Sequence, residues 1–98
     1  MRKIAILYNL NRKEHEYEAE FDSENTINSI YDALKDKYDV KRIEAIRDFS
    51  WIKRVDDLKP DLVFNVCEGF NGPARESVYG AILEQLNQNY SGPDSTNL

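Results

Sequence analysis

The sequence predicts an α/β fold: a doubly wound, three-layer arrangement in which a four-stranded parallel sheet of spatial order 2-1-3-4 carries helices on both faces. Three observations lead there. Strand-like and helix-like periodicities alternate along the 98 residues, with a strand first. Two of the four strand-like segments are near-continuous apolar runs, as expected of strands covered on both faces. The other two are diluted by charge or very short, which suits the flanks of a sheet.

The first strand is the run Ile4-Ala5-Ile6-Leu7-Tyr8. Its basic start superficially resembles a signal peptide, but the run is too short, lacks a small-residue cleavage site and leads straight into polar residues. Ser23 can cap the first helix, whose stripe is Ile27, Ile30, Tyr31, Leu34 and then Tyr38 at three- and four-residue spacing. Residues 40–46, VKRIEAI, form the charged second strand. Ser50 precedes a shorter helix with Trp51, Val55 and Leu58, stopped by Pro60. Residues 62–66, LVFNV, are the second central strand. Pro73 suits a first helical position, and Val78, Ala81, Ile82 and Leu86 make the third stripe. Residues 89–91, NYS, supply a short last strand.

Right-handed crossovers with strands 1 and 3 in the centre give the order 2-1-3-4. The winding reverses between those two strands, and the crevice at their carboxyl ends is where open α/β sheets bind ligands. The loops starting at Asn9 and at Cys67 line it. The chain reads as one domain over residues 1–98. Gly92-Pro93-Asp94 opens like another helix, so a piece of a longer multidomain protein is expected.

The net charge of -5, with basic residues scattered rather than clustered, argues against a nucleic-acid partner. Cys67 is the only cysteine and His15 the only histidine, so one chain assembles neither a disulfide framework nor a Cys/His zinc site. A reducing cytoplasm fits that usage. No apolar stretch approaches membrane-spanning length. Asn9-Leu10-Asn11-Arg12-Lys13 has neither a dinucleotide fingerprint nor P-loop spacing. Tyr8-Asn9 and Asn65-Val66 stand where a phosphorylatable receiver domain would need acids.

Two segments carry candidate chemistry. Glu14, Glu16, Glu18, Glu20, Asp22 and Glu24 place an acid at every second position after the first strand. Charge pattern alone favours a solvated loop whose last acids suit a helix dipole. The functional alternative is a carboxylate held at the crevice to receive an ammonium group. Cys67-Glu68-Gly69 follows the third strand at the same crevice. Cys67 reads as a small, half-buried hydrophobe, since no basic cluster is evident to generate a thiolate, and a Cys67–His15 pair has no support. Free N–H groups at the Pro73 helix would favour an anion.

DLVFNVCEG at 61–69, followed by Gly72, Glu76, AILE at 81–84 and YSG at 90–92, resembles the N-terminal domain of D-alanine-D-alanine ligases and related ATP-grasp ligases. The start, KIAILY at 3–8, is similar too. The resemblance implies a Rossmann-like pre-ATP-grasp domain that supplies one wall of the pocket for the first amino acid, in cell-wall dipeptide synthesis. It puts ATP and magnesium on the remaining ATP-grasp domains of a parent chain, and no catalytic residue or metal ligand in this one. The family glutamate that receives the amino acid's ammonium falls at Ala19, between two acids; Glu18 is the choice and Glu20 the reserve. Cys67, Glu68 and Gly69 would shape the opposite wall. Cys67-Glu68-Gly69 stands in place of the family's His-Gly pair, Arg75-Glu76-Ser77 in place of Gly-Glu-Asp-Gly, and a Gly-Gly-Ser turn after the first strand is missing. D-alanine or another small amino acid is therefore the expected ligand. The alternative is a stand-alone flavodoxin-like module that binds a small ligand or a protein without catalysis. A domain separated from its neighbours could cover its apolar surface as a homodimer, through a contact of roughly 800 Å² per partner.

Overall fold

A computed structural model describes residues 1–13, 18, 21–67 and 77–91. The elements are β1 (Lys3–Tyr8), α1 (Glu24–Leu34), β2 (Asp39–Glu44), α2 (Ser50–Leu58), β3 (Leu62–Asn65), α3 (Ser77–Gln85) and β4 (Tyr90–Ser91). Every strand pairing is parallel and the order is β2-β1-β3-β4, as the apolar patterns predict. Pro73 lies outside the described residues.

The register explains which residues each layer receives. Leu7 pairs with Ile43 on one side and Asn65 on the other, while Ile6 pairs with Arg42 and Phe64. Successive side chains in a strand point to opposite faces. Ala5, Leu7, Ile43 and Val63 therefore join Trp51 and Val55 of α2, and Tyr79 and Leu83 of α3, in one buried cluster. Ile4, Ile6 and Val40 take the other face, where Phe21, ahead of α1, and Ile27 of α1 are also buried. β1 is covered on both sides, whereas β3 buries Val63 and Asn65 on one face and leaves Leu62 and Phe64 half-buried on the other.

Capping follows local chemistry. Ser23 stands at the N-cap of α1 in an extended conformation, and its Oγ accepts from the Thr26 amide at 3.2 Å. The start of α2 differs from the expectation. Ser50 is already helical, the cap position is Phe49 at φ 63°, and Asp48 Oδ1 accepts from the Ser50 amide at 3.0 Å. Asp48 thus satisfies the first helical N–H that a serine cap would have served from within the helix. Lys59 ends α2 in the left-handed region at φ 48°, donating to Val55 O at 2.9 Å. Pro60 disfavours the right-handed conformation for the residue before it.

Two residues of the predicted α3 stripe are corrected, and the end of the second strand with them. Val78 is 43% exposed and Ala81 is exposed, whereas Tyr79 and Leu83 are buried, with Ile82 and Leu86 packed beside them. Positions 79, 82, 83 and 86 keep the three-and-four spacing, so the buried face of α3 is turned by one residue from the predicted one. Ile46 is exposed because β2 stops at Glu44, the partner of the last residue of β1. Among the described residues no helix is long and apolar enough to cross a membrane.

Candidate functional site

Two central strands end in the same way, Leu7-Tyr8-Asn9 and Val63-Phe64-Asn65, and the asparagines are buried at the carboxyl end of the sheet. Asn9 Nδ2 donates to Ala45 O at 3.0 Å and to the Tyr79 hydroxyl at 3.3 Å. It ties the end of β1 to the chain leaving β2 and to α3. Asn65 Oδ1 accepts from the Cys67 amide at 3.0 Å, a local turn that bends the chain out of β3. Above these groups lie Tyr79 and Trp51, with ring centroids 5.4 Å apart and tilted by 37°. Burial pushes the Tyr79 phenol up to about 12, with the neighbouring Cys67 adding to the rise and the Asn9 hydrogen bond opposing it.

Cys67 is fully buried within the apolar cluster, deeper than the half-buried position its sequence context predicts. A thiol so placed is a packing group, since nucleophilic reactivity requires access and thiolate character. Trp51 Nε1 and Asn65 Nδ2 are buried donors with no hydrogen-bond partner among the described residues. Such donors are uncommon in folded proteins, and both belong to the layer at the carboxyl end of β3 and the start of α2.

Glu18 is buried at 4% exposure, not solvated. Its Oε1 accepts from the Arg12 amide at 2.5 Å, and its backbone carbonyl accepts from Phe21 N at 2.8 Å. Leu10 bridges Asp22, and Asn11 N donates to Asp22 O at 2.9 Å. The acidic segment is thereby strapped to the exit of β1. Burial raises the Asp22 carboxyl above its ordinary value. Glu20, Glu68, Gly69 and His15 lie outside the described residues, so of the predicted pocket residues the structure describes Glu18 and Cys67.

A second region at the same end of the sheet carries no mark of its own in the sequence. Tyr8, Leu10, Arg12, Glu24, Ile27, Asn28, Arg42 and Glu44 line a cleft of about 400 Å³ between β1, β2 and α1. Arg12 pairs with both oxygens of Glu44, at 2.5 and 2.9 Å. Arg42 Nη1 donates to Asn28 Oδ1 at 2.7 Å, and its guanidinium lies 4.5 Å from the Tyr31 ring centroid. Burial and then Glu44 raise the Tyr8 phenol, against the opposing charges of Arg42, Arg54 and Arg12. Alternation in VKRIE places Arg42 and Glu44 on one face of β2, but only the register puts Tyr8 beside them.

No protein-family model matches the chain, and no curated protein is significantly similar to it.

Proposed function

We propose that this domain is the substrate-side, N-terminal domain of an ATP-dependent carboxylate-amine ligase resembling D-alanine-D-alanine ligase, acting in the cytoplasm and not catalytic alone. The observation that carries the reading is the anchored carboxylate of Glu18 on the loop leaving β1, in a sheet whose order sets that loop next to the one leaving β3. The Arg12 amide takes one oxygen and fixes the carboxylate's direction. A carboxylate has about four acceptor sites, so an ammonium group can still be received there. The resemblance assigns the facing wall to Cys67, Glu68 and Gly69, with Cys67 packed behind its surface and Glu20 as the alternative ammonium partner.

The segment leaving β1 offers no glycine-rich cradle for a nucleotide, and the reading assigns ATP and magnesium to further domains of the parent protein. What this chain supplies is position: charge for the amino acid's ammonium and a buried scaffold that keeps the charge in place. The test is Glu18→Gln in a protein that carries the ATP-grasp domains. KM for the first amino acid rises at least about tenfold, the loss expected for a charge-assisted hydrogen bond, while KM for ATP is unchanged. An unchanged amino-acid requirement would sink the assignment. The isolated domain, given D-alanine and ATP, releases no ADP; turnover by it excludes the reading equally.

A further inference from the structure

The cleft between β1, β2 and α1 holds two groups of opposite charge that have no ion-pair partner among the described residues. Among the described residues, Arg42 has no carboxylate within ion-pair distance and Glu24 has no basic partner, although Arg12 and Glu44 in the same cleft neutralise each other. Arg42 is nevertheless held in one orientation. Asn28 takes one of its five N–H groups and Tyr31 covers one face of the guanidinium, which leaves the rest of a rigid donor fork available. Protection of the open edge of β2 accounts for Arg54, whose Nη2 reaches Arg42 O at 3.5 Å. It does not account for Arg42, whose side chain lies back against α1.

Arg42 is fixed at Asn28, and Glu24 precedes Asn28 by four residues, about one helical turn, so both groups meet the same face of α1 in the cleft. Tyr8 is also in the cleft and brings a hydroxyl that stays protonated at neutral pH, since burial holds its pKa above the ordinary value. The volume, about 400 Å³, lies within the range of small-ligand pockets.

We infer that this cleft binds a small zwitterion, with a carboxylate on the Arg42 guanidinium and a protonated amine on the Glu24 carboxylate. Its lining includes neither Glu18 nor Cys67, although Arg12 borders both regions, and it does not rest on the ligase reading, in which neither Glu24 nor Arg42 has a part. A divided set of probes tests it. The 98-residue chain, labelled with ¹⁵N, is titrated with alanine, acetate and methylammonium at one pH and ionic strength. Alanine produces saturable shifts at Tyr8, Asn28 and Arg42, with acetate and methylammonium each binding at least about tenfold more weakly. Arg42→Met and Glu24→Gln each raise Kd for alanine by about tenfold, and Arg42→Lys, which keeps the charge without the fork, restores only part of the loss. Glu24 is exposed, so its variant reports on binding even if changes at Arg42 disturb β2. No saturable shift with alanine overturns the inference. So does acetate binding as tightly as alanine, or alanine binding that ignores Glu24→Gln.

Discussion

Between β1 and β3 the carboxyl end of the sheet is finished with neutral polar groups, Asn9, Asn65 and the Tyr79 hydroxyl, all buried. Between β1 and β2, one strand over, it is finished with Arg12, Arg42, Glu24 and Glu44 around an open cleft. The contrast follows from what burial costs. A neutral amide can be buried if it is hydrogen-bonded, and it then fixes how the elements it links pack together. Glu18, a carboxylate buried on the loop leaving β1, is held by the Arg12 amide, whereas the charges of Arg12 and Glu44 stay near water, where a partner can be exchanged at little expense. In the inner region the asparagines and Tyr79 thus hold the shape behind the Glu18 carboxylate, and in the outer one the charges line an open cleft.

The largest expected effect tests whether the inner region is structural. Trp51 is fully buried between the sheet and Tyr79, so Trp51→Ala should cost about 3–5 kcal/mol in urea unfolding, enough to threaten a small domain. Trp51→Phe separates packing from hydrogen bonding. Trp51 Nε1 has no acceptor among the described residues, so the phenyl ring loses volume but also removes a costly orphan donor. It should cost roughly 1–2 kcal/mol, well below the alanine variant. Equal losses for the two variants would mean that the indole N–H has an acceptor and that Trp51 is held by more than packing.

The sequence reveals these two regions unequally, for a physical reason. Apolar runs at 4–8 and 62–66 announce covered strands, and the charged run at 40–46 announces an edge, so sheet order follows from composition alone. Ser23 is legible as a cap because its interaction is local. Glu18 is legible as a candidate through its position after the first strand, yet its burial is not, because charge pattern describes a solvated segment. The backbone bond from Arg12 that overturns that expectation joins residues the pattern does not relate. The outer cleft escapes the sequence for the same reason: Tyr8, Asn28 and Arg42 come from three elements, and only register and helix docking bring them together. In the inner region the repeated aromatic-asparagine ending of the two central strands was the available sign.

An intermediate effect concerns pH. The Tyr79 phenol is an acid whose folded pKa, about 12, lies above the ordinary 10.0, chiefly through burial. The folded state therefore holds the proton more tightly than the unfolded one. The stability this represents is fully present below pH 10 and is lost as pH rises from 10 to 12. Tyr79→Phe should be less stable than the parent at neutral pH by about 1 kcal/mol, because Asn9 loses one acceptor while keeping Ala45 O. Above pH 10 the gap should narrow, since the variant has no phenol to ionise there. Urea midpoints measured from pH 8 to 12 decide the matter: a gap that stays constant across that range would place Tyr79 in water rather than in the core.

The smallest effect belongs to the outer region and sharpens the contrast from the other side. Glu44→Gln removes one partner of the Arg12 pair, whose side chains are 46% and 21% exposed. A pair that open should cost at most about 1 kcal/mol, and less in high salt, where a buried pair would cost several times more. The same substitution should change a titration more visibly than a stability. Glu44 raises the Tyr8 phenol, second only to burial, while Arg42, Arg54 and Arg12 pull it down. With the carboxylate gone, only burial opposes the three guanidiniums, and Tyr8 should ionise at lower pH than in the parent. Tyrosine resonances followed through alkaline titration would show this directly. An unmoved Tyr8 would mean that its hydroxyl does not face the charges of the cleft, and the outer region would lose a hydroxyl from its lining.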